Sequence, residues 1–161
     1  MISKKVEQLY GNQVRVRACG LLIMEDSILL VRHEGVNSSS PMWLPPGGGV
    51  QYGETLETCV EREFREETGL TVKVGSLKFI YEFIRHPFHA VEFFFEVSKQ
   101  GGKLKRGLDP EMAPADQIIE EVSFVTFEEI SIMPTNNLHG IFSQCKYPSE
   151  LKELTGLYKG H

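Results

Sequence analysis

The chain has 161 residues, of which 41% are hydrophobic and 24% charged, with a formal net charge of −5. This is the size and composition of one globular domain, which excludes disordered, collagen-like and coiled-coil chains. The acidic balance argues against bulk binding to a nucleic-acid backbone. No stretch approaches the roughly 18 apolar residues of a membrane span, and the polar N-terminus does not resemble a secretory signal.

The three cysteines predict a reduced environment. They are odd in number and far apart, at Cys19, Cys59 and Cys145, and so match neither a disulfide framework nor a zinc-binding pattern. We therefore expect a cytoplasmic protein, with residues 1–161 forming a single domain.

The N-terminal part of the chain predicts two strands and an irregular segment. Residues 14–24 are mostly apolar on both alternating faces, as in a central strand, and residues 27–33 predict a second strand paired with it in a hairpin. The Ser-rich residues 35–41 predict a loop. Two prolines and three glycines within residues 43–49 predict a backbone that is neither helix nor regular strand ladder.

Residues 54–68 form the strongest helix candidate, with Thr55 as the N-cap and Gly69 in the left-handed position just past the end. The rest of the chain predicts, in order, strands at 71–83 and 90–97, a turn at 101–102, a loop at 108–116, a strand at 118–127 and a short helix at 137–146. This order predicts an α+β fold, in which helices pack on a mixed sheet.

The predicted helix breaks its own apolar pattern. At about 100° per residue, its apolar stripe consists of Leu56, Cys59, Val60 and Phe64. The stripe continues to positions 63 and 67, which are Glu63 and Glu67, with Glu66 beside them. Carboxylates in a last helical turn repel each other and oppose the helix dipole, by about 0.3–1 kcal/mol each.

Two interpretations of this carboxylate cluster are open. A hard divalent cation such as Mg²⁺, Mn²⁺ or Ca²⁺ would relieve the repulsion, since such cations prefer oxygen ligands. The alternative is a solvated acidic helix face, which is what charge runs usually are. The position of the cluster on the apolar stripe, and the glycine-rich segment before it, favour the cation.

Residues 48–70 resemble the Nudix box, G-x5-E-x7-R-E-U-x-E-E-x-G-U, where U is a bulky apolar residue. Gly48 and Glu54 precede the run REFREETGL, which fills every remaining fixed position. Trp43, Pro46 and Gly47 are similar to the usual lead-in of the family. The resemblance implies a Nudix-like α/β/α sandwich with a mixed β-sheet. It also implies hydrolysis of a nucleoside diphosphate linked to another moiety, with Mg²⁺ or Mn²⁺ as the cofactor.

Carried over by position, the resemblance assigns metal binding to Glu63, Glu66, Glu67 and the Gly48 carbonyl, and orientation of the glutamates to Arg62, with support from Glu54. Hydrolysis then needs a carboxylate that accepts a proton from the attacking water. Which carboxylate acts as this base is not decided by the sequence. The candidates are Glu66, Glu67, Asp109, Glu111, Asp116, Glu120 and Glu121. Glu111 is our choice among the loop acids, because residues 109–111 lie in a loop long enough to close on a site.

Substrate contacts are expected from five further positions. Arg32 and Arg17 are candidates for phosphate binding, with a strand-edge salt bridge as the alternative for each. Trp43 is a candidate for stacking on a base, with structural packing as the alternative. Backbone N–H groups at Gly47 and Gly48 are candidates for phosphate contact.

The leading hypothesis is thus an enzyme that acts on a small nucleotide or nucleotide conjugate, with no membrane partner. The alternative is a Nudix-fold module that senses a nucleotide without turnover, against which the complete glutamate set argues. The sequence identifies no particular nucleoside diphosphate derivative. It also leaves the oligomeric state open, with a homodimer among the alternatives because some relatives are dimers.

Overall fold

The computed structural model describes residues 4–37, 40–108 and 117–160. Its α-helices are α1 (Lys4–Tyr10), α2 (Leu56–Thr68) and α3 (Phe127–Ile132). Its strands are β1 (Val14–Leu21), β2 (Ile23–Met24), β3 (Ser27–Asn37), β4 (Ser40–Leu44), β5 (Gly47–Gly49), β6 (Leu70–Arg85), β7 (Phe88–Gly102), β8 (Ile119–Thr126) and β9 (Gly156–Gly160). Short 3₁₀ helices span Thr135–Asn137, Gly140–Gln144 and Pro148–Glu153. Among the helices in these ranges, none combines the length and apolar character that crossing a bilayer requires.

Two sheets form the centre of the molecule. The first is a five-stranded mixed sheet in the order β5-β1-β7-β6-β9. In it β1 runs parallel to β7, β6 runs parallel to β9, and the other two pairings are antiparallel. In the second sheet β3 pairs antiparallel with β2, β4 and β8. Mixed pairing with helices packed on the sheets confirms the predicted α+β fold class.

Helix α2 is held against both sheets by one of two apolar cores. Val60 and Phe64 of the helix are fully buried and pack with Ala18 and Phe95 of the first sheet and Leu29 of the second. Full burial of such a side chain stabilises the fold by about 1.5–3 kcal/mol. The second core joins the two sheets to the C-terminal 3₁₀ segments. The face of α2 that carries Glu63 and Glu67 is therefore fixed relative to both sheets.

Local signals set the ends of α2 as the sequence predicts. The Thr55 side chain accepts a hydrogen bond from the Thr58 N–H, and the Thr58 side chain accepts one from the Thr55 N–H, which makes a capping box. At the other end Gly69 has φ 72° and donates its N–H to the Arg65 carbonyl. Only glycine adopts this left-handed conformation at little cost. The predicted helix is confirmed, beginning two residues later than expected.

The prediction that the glycine run forms no regular ladder is wrong. Gly47–Gly49 forms strand β5, antiparallel to β1, with Cys19 opposite Gly47. The absence of side chains is what permits this pairing. A Cβ on Gly47 would lie 2.5 Å from the Ala18 carbonyl oxygen and 2.6 Å from the Cys19 Cα, closer than real atoms approach.

Other expectations near the strands need correction. Strand β1 does not pair with β3, because the chain changes sheet after Leu21 and only the short β2 forms the hairpin. The predicted loop at residues 35–41 is wrong in part, since β3 continues to Asn37 and β4 begins at Ser40. Residues 101–102 end strand β7 instead of forming a turn. Strand pairing explains the last two differences, since Asn37 pairs with Ser40 of β4, and Gly101 and Gly102 pair with the start of β6.

The C-terminal region also differs from its prediction. Residues 137–146 form 3₁₀ segments instead of one short helix, and α3 follows β8 directly with Thr126 as its N-cap. The predicted loop at 108–116 lies outside the described residues except for Leu108.

Candidate active site

Two glutamates of α2 point into the protein. Glu63 is 8% exposed and Glu67 is 5% exposed, whereas Glu66 is half-buried at the edge. This confirms that positions 63 and 67 continue the apolar stripe, and it contradicts a solvated acidic face for those two residues. Burial of a carboxylate is costly unless the charge is paired or hydrogen-bonded, so the partners of these groups decide how the site works.

Arg62 is the main partner of the carboxylates. Its Nε donates to Glu54 Oε1 at 2.7 Å, and its Nη1 donates to Glu63 Oε1 at 2.8 Å and to Glu66 Oε2 at 3.1 Å. Its Nη2 donates to Glu54 Oε2 at 3.0 Å and to the Gly49 carbonyl at 3.1 Å. The rigid fork of a guanidinium suits such multiple contacts. Arg62 thus contacts three glutamates at once, and its orienting role stays a prediction.

Glu67 is held from strands β5 and β3. The Gly47 N–H donates to Glu67 Oε2 at 3.0 Å. On the other side His33 Nε2 lies 3.6 Å from Glu67 Oε1, with the His33 side chain only 10% exposed. This nitrogen is buried without a hydrogen-bond partner among the described residues. His33 could not be predicted as part of the site, because a lone histidine at a strand end has no distinctive pattern.

Gly48 is the point where the glycine strand touches the helix carboxylates. A Cβ at this position would overlap the Glu63 carboxyl group, so any other residue would displace that carboxylate. The Gly48 carbonyl oxygen lies 3.7 Å from the Cys59 thiol. Gly47 and Gly48 therefore bring backbone against both buried glutamates.

Burial and mutual repulsion disfavour ionisation in this cluster. Desolvation, followed by the charge of Glu67, raises the pKa of Glu63 to about 7 despite the contact with Arg62. In contrast, the hydrogen bond from Arg62 lowers the pKa of Glu54, whose burial acts in the opposite direction. One carboxyl group of the cluster therefore holds its proton more strongly than an exposed glutamate does, and an added positive charge would favour its ionised form.

A segment after β7 closes the C-terminal end of α2. The Lys105 N–H donates to the Thr68 carbonyl at 3.0 Å, and the Gly107 N–H donates to the Glu67 carbonyl at 2.8 Å. These bonds satisfy helix-end carbonyls that otherwise have no partner. A Cβ at Gly107 would overlap the backbone of Glu66. This role was not predicted, and the only signal for it in the sequence is the position of Gly107 beside the predicted loop.

The predicted base Glu111 and the alternatives Asp109 and Asp116 lie outside the described residues. The other later candidates, Glu120 and Glu121, form ion pairs with Arg32. Arg32 Nε lies 3.0 Å from Glu120 Oε2, and Nη1 lies 3.6 Å from Glu121 Oε2.

Arg32 and Trp43 lie together on neighbouring strands. The Arg32 guanidinium carbon is 5.7 Å from the centre of the Trp43 ring. Trp43 is half-buried and packs against the second core. Arg32 and His33 are consecutive strand residues and so point to opposite faces of β3. Arg32 and Trp43 therefore lie on the other face of β3 from His33 and its neighbour Glu67.

Arg17, the other predicted phosphate ligand, is largely buried and has a partner. Its Nε lies 2.9 Å from Glu92 Oε1, and its side chain is 17% exposed. Its Nη2 donates to the Gly47 carbonyl at 3.4 Å. The same Glu92 binds His139 through its second oxygen, at 2.8 Å. Neither Glu92 nor His139 was predicted from the sequence as part of a site.

The fold has solved counterparts. A NUDIX hydrolase from Nitrosomonas europaea superposes with a TM-score of 0.71 at 19% identity, covering 89% of this chain and 93% of that one. Identity this low shows similarity of fold alone.

Curated relatives match in sequence over part of their length. The ADP-ribose pyrophosphatase of Methanocaldococcus jannaschii is 38% identical over 96 residues, which are 58% of this chain and 56% of that protein. A MutT-like protein from Streptomyces ambofaciens is 39% identical over 67 residues, 42% of each chain. The chain thus spans about half the length of the curated relatives it matches.

The family model described as the NUDIX domain matches residues 13–144. This range contains the box, both sheets apart from β9, and the Glu92 and His139 pair. On this match, and with the resemblance of residues 48–70 confirmed, the chain belongs to the NUDIX domain family.

Proposed function

We propose that this chain hydrolyses the pyrophosphate bond of a nucleoside diphosphate derivative, with a divalent cation bound at the carboxylates of α2. One observation carries the proposal. Glu63 and Glu67 are buried on the core side of the helix, against a strand made only of glycine. Fold stability alone would favour apolar residues there. A cation site explains why the two carboxylates are buried and why the strand that faces them has no side chains.

The donor set fits such a cation. Nudix hydrolases generally use divalent metals, and the candidate ligands are the carboxylates of Glu63, Glu66 and Glu67 with the Gly48 carbonyl. All are oxygen donors of the kind that Mg²⁺ and Mn²⁺ prefer. In the described residues no three His, Cys, Asp or Glu side chains are already grouped to hold an ion. Arg62 and the Gly47 N–H contact the carboxylate oxygens instead.

The bound cation would neutralise charge on the diphosphate and lower the pKa of a coordinated water. The chain's own residues do the rest. Arg62 keeps three glutamates in a fixed arrangement, which contributes through positioning. Arg17, on the Gly47 carbonyl, supplies positive charge beside the carboxylates. Phosphate binding by Arg32 and base stacking by Trp43 stay predictions, since both residues lie on the other face of β3. Glu66, Glu67 or Glu111 accepts the proton of the attacking water.

ADP-ribose is the first substrate to test, because the relative from Methanocaldococcus jannaschii carries the name ADP-ribose pyrophosphatase. A panel should also contain a nucleoside triphosphate, a dinucleotide and a nucleotide sugar. Each is incubated with Mg²⁺ or Mn²⁺, and the release of monophosphate, pyrophosphate and phosphate is followed by chromatography. The homodimer, the cytoplasmic location and the single domain remain predictions.

We expect turnover of at least one diphosphate compound and its loss in EDTA. Saturable binding of a nucleotide with no turnover under any of these conditions would favour the sensing module over the enzyme. Turnover that is unaffected by EDTA would contradict the cation.

A further inference from the structure

Glu92 is a buried carboxylate on β7, outside the helix that carries the proposed cation site. It is 5% exposed, and each of its oxygens has one basic partner. Oε1 lies 2.9 Å from Arg17 Nε, and Oε2 lies 2.8 Å from His139 Nε2. Burial opposes its ionisation, but His139 and Arg17 outweigh burial and lower the pKa of Glu92 to about 2. Glu92 is therefore a fixed negative charge at neutral pH.

His139 is held in one orientation beside this carboxylate. The Ile141 N–H lies 3.3 Å from His139 Nδ1, and Nε2 on the other side of the ring faces Glu92. The His139 backbone N–H donates to the Trp43 carbonyl at 2.9 Å. The ring also packs edge-on against Tyr81, with centres 5.3 Å apart. The ring is thus positioned to donate to Glu92 and to keep its carboxylate in place.

The other end of Arg17 reaches the proposed cation site through a single residue. Arg17 Nη2 donates to the carbonyl of Gly47, whose N–H donates to Glu67 Oε2. The charges of Glu67 and Glu63 add to that of Glu92 in raising the pKa of Arg17, against the effect of burial. Arg17 is therefore a permanent cation within electrostatic reach of two proposed metal ligands.

We infer, on the basis of the function proposed above, that Glu92 is a positioning residue, which holds Arg17 on the Gly47 carbonyl. Held there, Arg17 stays away from Glu63 and Glu67, and those carboxylates remain available to a divalent cation.

The reason is the cost of a buried charge without a counter-ion. Removal of one partner of a buried pair leaves the other uncompensated, which is strongly unfavourable. Arg17 without Glu92 would gain by pairing with Glu67 and Glu63, the remaining carboxylates whose charges act on it. A guanidinium on these groups would compete with a metal ion for their oxygens and would repel it.

A purely structural role for the pair makes a different prediction. If Glu92 served the fold alone, its loss would lower thermal stability and leave the metal affinity of the folded protein unchanged. If Glu92 controls Arg17, its loss weakens metal binding, and removal of Arg17 as well restores it. The sign of the second change separates the two roles.

The experiment measures the Kd for Mn²⁺ by electron paramagnetic resonance titration of the purified full chain. The variants are Glu92→Gln, the double variant Arg17→Met with Glu92→Gln, and the control Glu82→Gln. Glu82 also pairs with a histidine, His89, at 3.2 Å on the same sheet. Thermal unfolding of each protein shows that it is folded under the conditions of the titration.

We expect Glu92→Gln to raise the Kd by about tenfold or more, the scale of one unneutralised charge at a protein-like dielectric constant. The double variant should return to within about threefold of the wild-type Kd, and Glu82→Gln should match the wild type. A wild-type Kd in Glu92→Gln, or a double variant that binds as weakly as Glu92→Gln, overturns the inference.

Should Glu92→Gln not fold, Glu92→Asp keeps the charge but withdraws the carboxylate from Arg17 by the length of one methylene, which weakens its hold on the guanidinium. We expect weaker Mn²⁺ binding for it too, and an unchanged Kd overturns the inference. A wild type that binds no Mn²⁺ overturns this inference and the proposed function together. A wild type that binds Mn²⁺ and hydrolyses a diphosphate, beside a Glu92→Gln variant that binds equally well, overturns this inference alone.

Discussion

Glu67 Oε2 accepts a hydrogen bond from the backbone N–H of Gly47 over 3.0 Å. This contact ties the last turn of α2 to strand β5, whose own position is set by its antiparallel pairing with β1. The geometry of the carboxylate cluster therefore depends on a ladder between distant segments as well as on the helix. Substitutions of the helix glutamates, of the β5 glycines and of Glu92 should therefore have distinguishable effects.

Loss of the Glu67 charge should abolish most of the activity. Glu67→Gln keeps the size of the side chain and one acceptor for the Gly47 N–H. It removes the negative charge that would bind a cation or accept a proton from water. We expect kcat to fall by at least about a hundredfold, the usual scale for such a group. The matched control is Glu57→Gln, an exposed acid on the same helix, which should retain wild-type kcat. Unchanged turnover in Glu67→Gln would refute its role.

A methyl group at Gly48 should disturb the site more than the fold. Gly48→Ala places a Cβ on the Glu63 carboxyl group, and that side chain must move. Displacement of a catalytic group by an ångström costs up to about a hundredfold in rate. We expect kcat/KM to fall by about tenfold to a hundredfold. Gly101→Ala is the control, because its Cβ would have no neighbour within 4 Å. Equal kinetics in the two variants would contradict the close packing of Gly48 on Glu63.

Replacing Glu63 should make the metal-free protein more stable and should weaken its metal binding. Glu63→Gln removes a buried charge and retains an oxygen that accepts from Arg62 Nη1. In EDTA we expect its Tm to rise, by about 2–4 °C for each 1 kcal/mol gained in the free energy of unfolding. The same variant should lose the increase in Tm that Mn²⁺ gives the wild type. Scanning calorimetry with and without Mn²⁺ checks both effects. A variant that is less stable in EDTA and still stabilised by Mn²⁺ would show that Glu63 is a purely structural group.

At acidic pH, the free energy of unfolding should depend on the ionisation of Glu92. Its pKa is about 2 in the folded chain against an ordinary value of 4.5. Between these values the unfolded chain binds the proton and the native chain does not, so the free energy of unfolding rises with pH in this window. The contribution is complete above about pH 4.5 and is lost as the pH falls toward 2.

Denaturant titrations of wild type and Glu92→Gln across this range test that expectation. The difference in their free energies of unfolding should be largest at pH 6 and should narrow below pH 4.5. Glu82→Gln, which alters the more exposed glutamate–histidine pair, serves as the control. A difference that is independent of pH would mean that the charge of Glu92 does not stabilise the folded chain.

The features that local sequence encodes were predictable. The cap at Thr55, the left-handed Gly69 and the helical spacing of Glu63 and Glu67 all follow from residues a few positions apart. Strand β5 did not follow, because a run of glycine has little strand propensity of its own and depends on its distant partner β1.

The burial of Glu92 likewise depends on partners that are distant in sequence. It shares a face of β7 with Glu96, two strand repeats along, yet Glu92 is buried and Glu96 is exposed. The difference arises from Arg17 and His139, which come from β1 and from the C-terminal segment. Sequence spacing within β7 cannot distinguish the two acids, since their partners meet only in the folded chain.

The central claim is that the buried carboxylates of α2 surround a divalent cation. The most direct test is a crystal structure with Mn²⁺ and a non-hydrolysable ADP-ribose analogue, examined for the anomalous signal of manganese. We predict a manganese peak bonded to oxygens of Glu63 and Glu67, with the diphosphate in contact with it. Manganese absent from these residues, with Glu63 still bound to Arg62 and Glu67 to Gly47, would contradict the account.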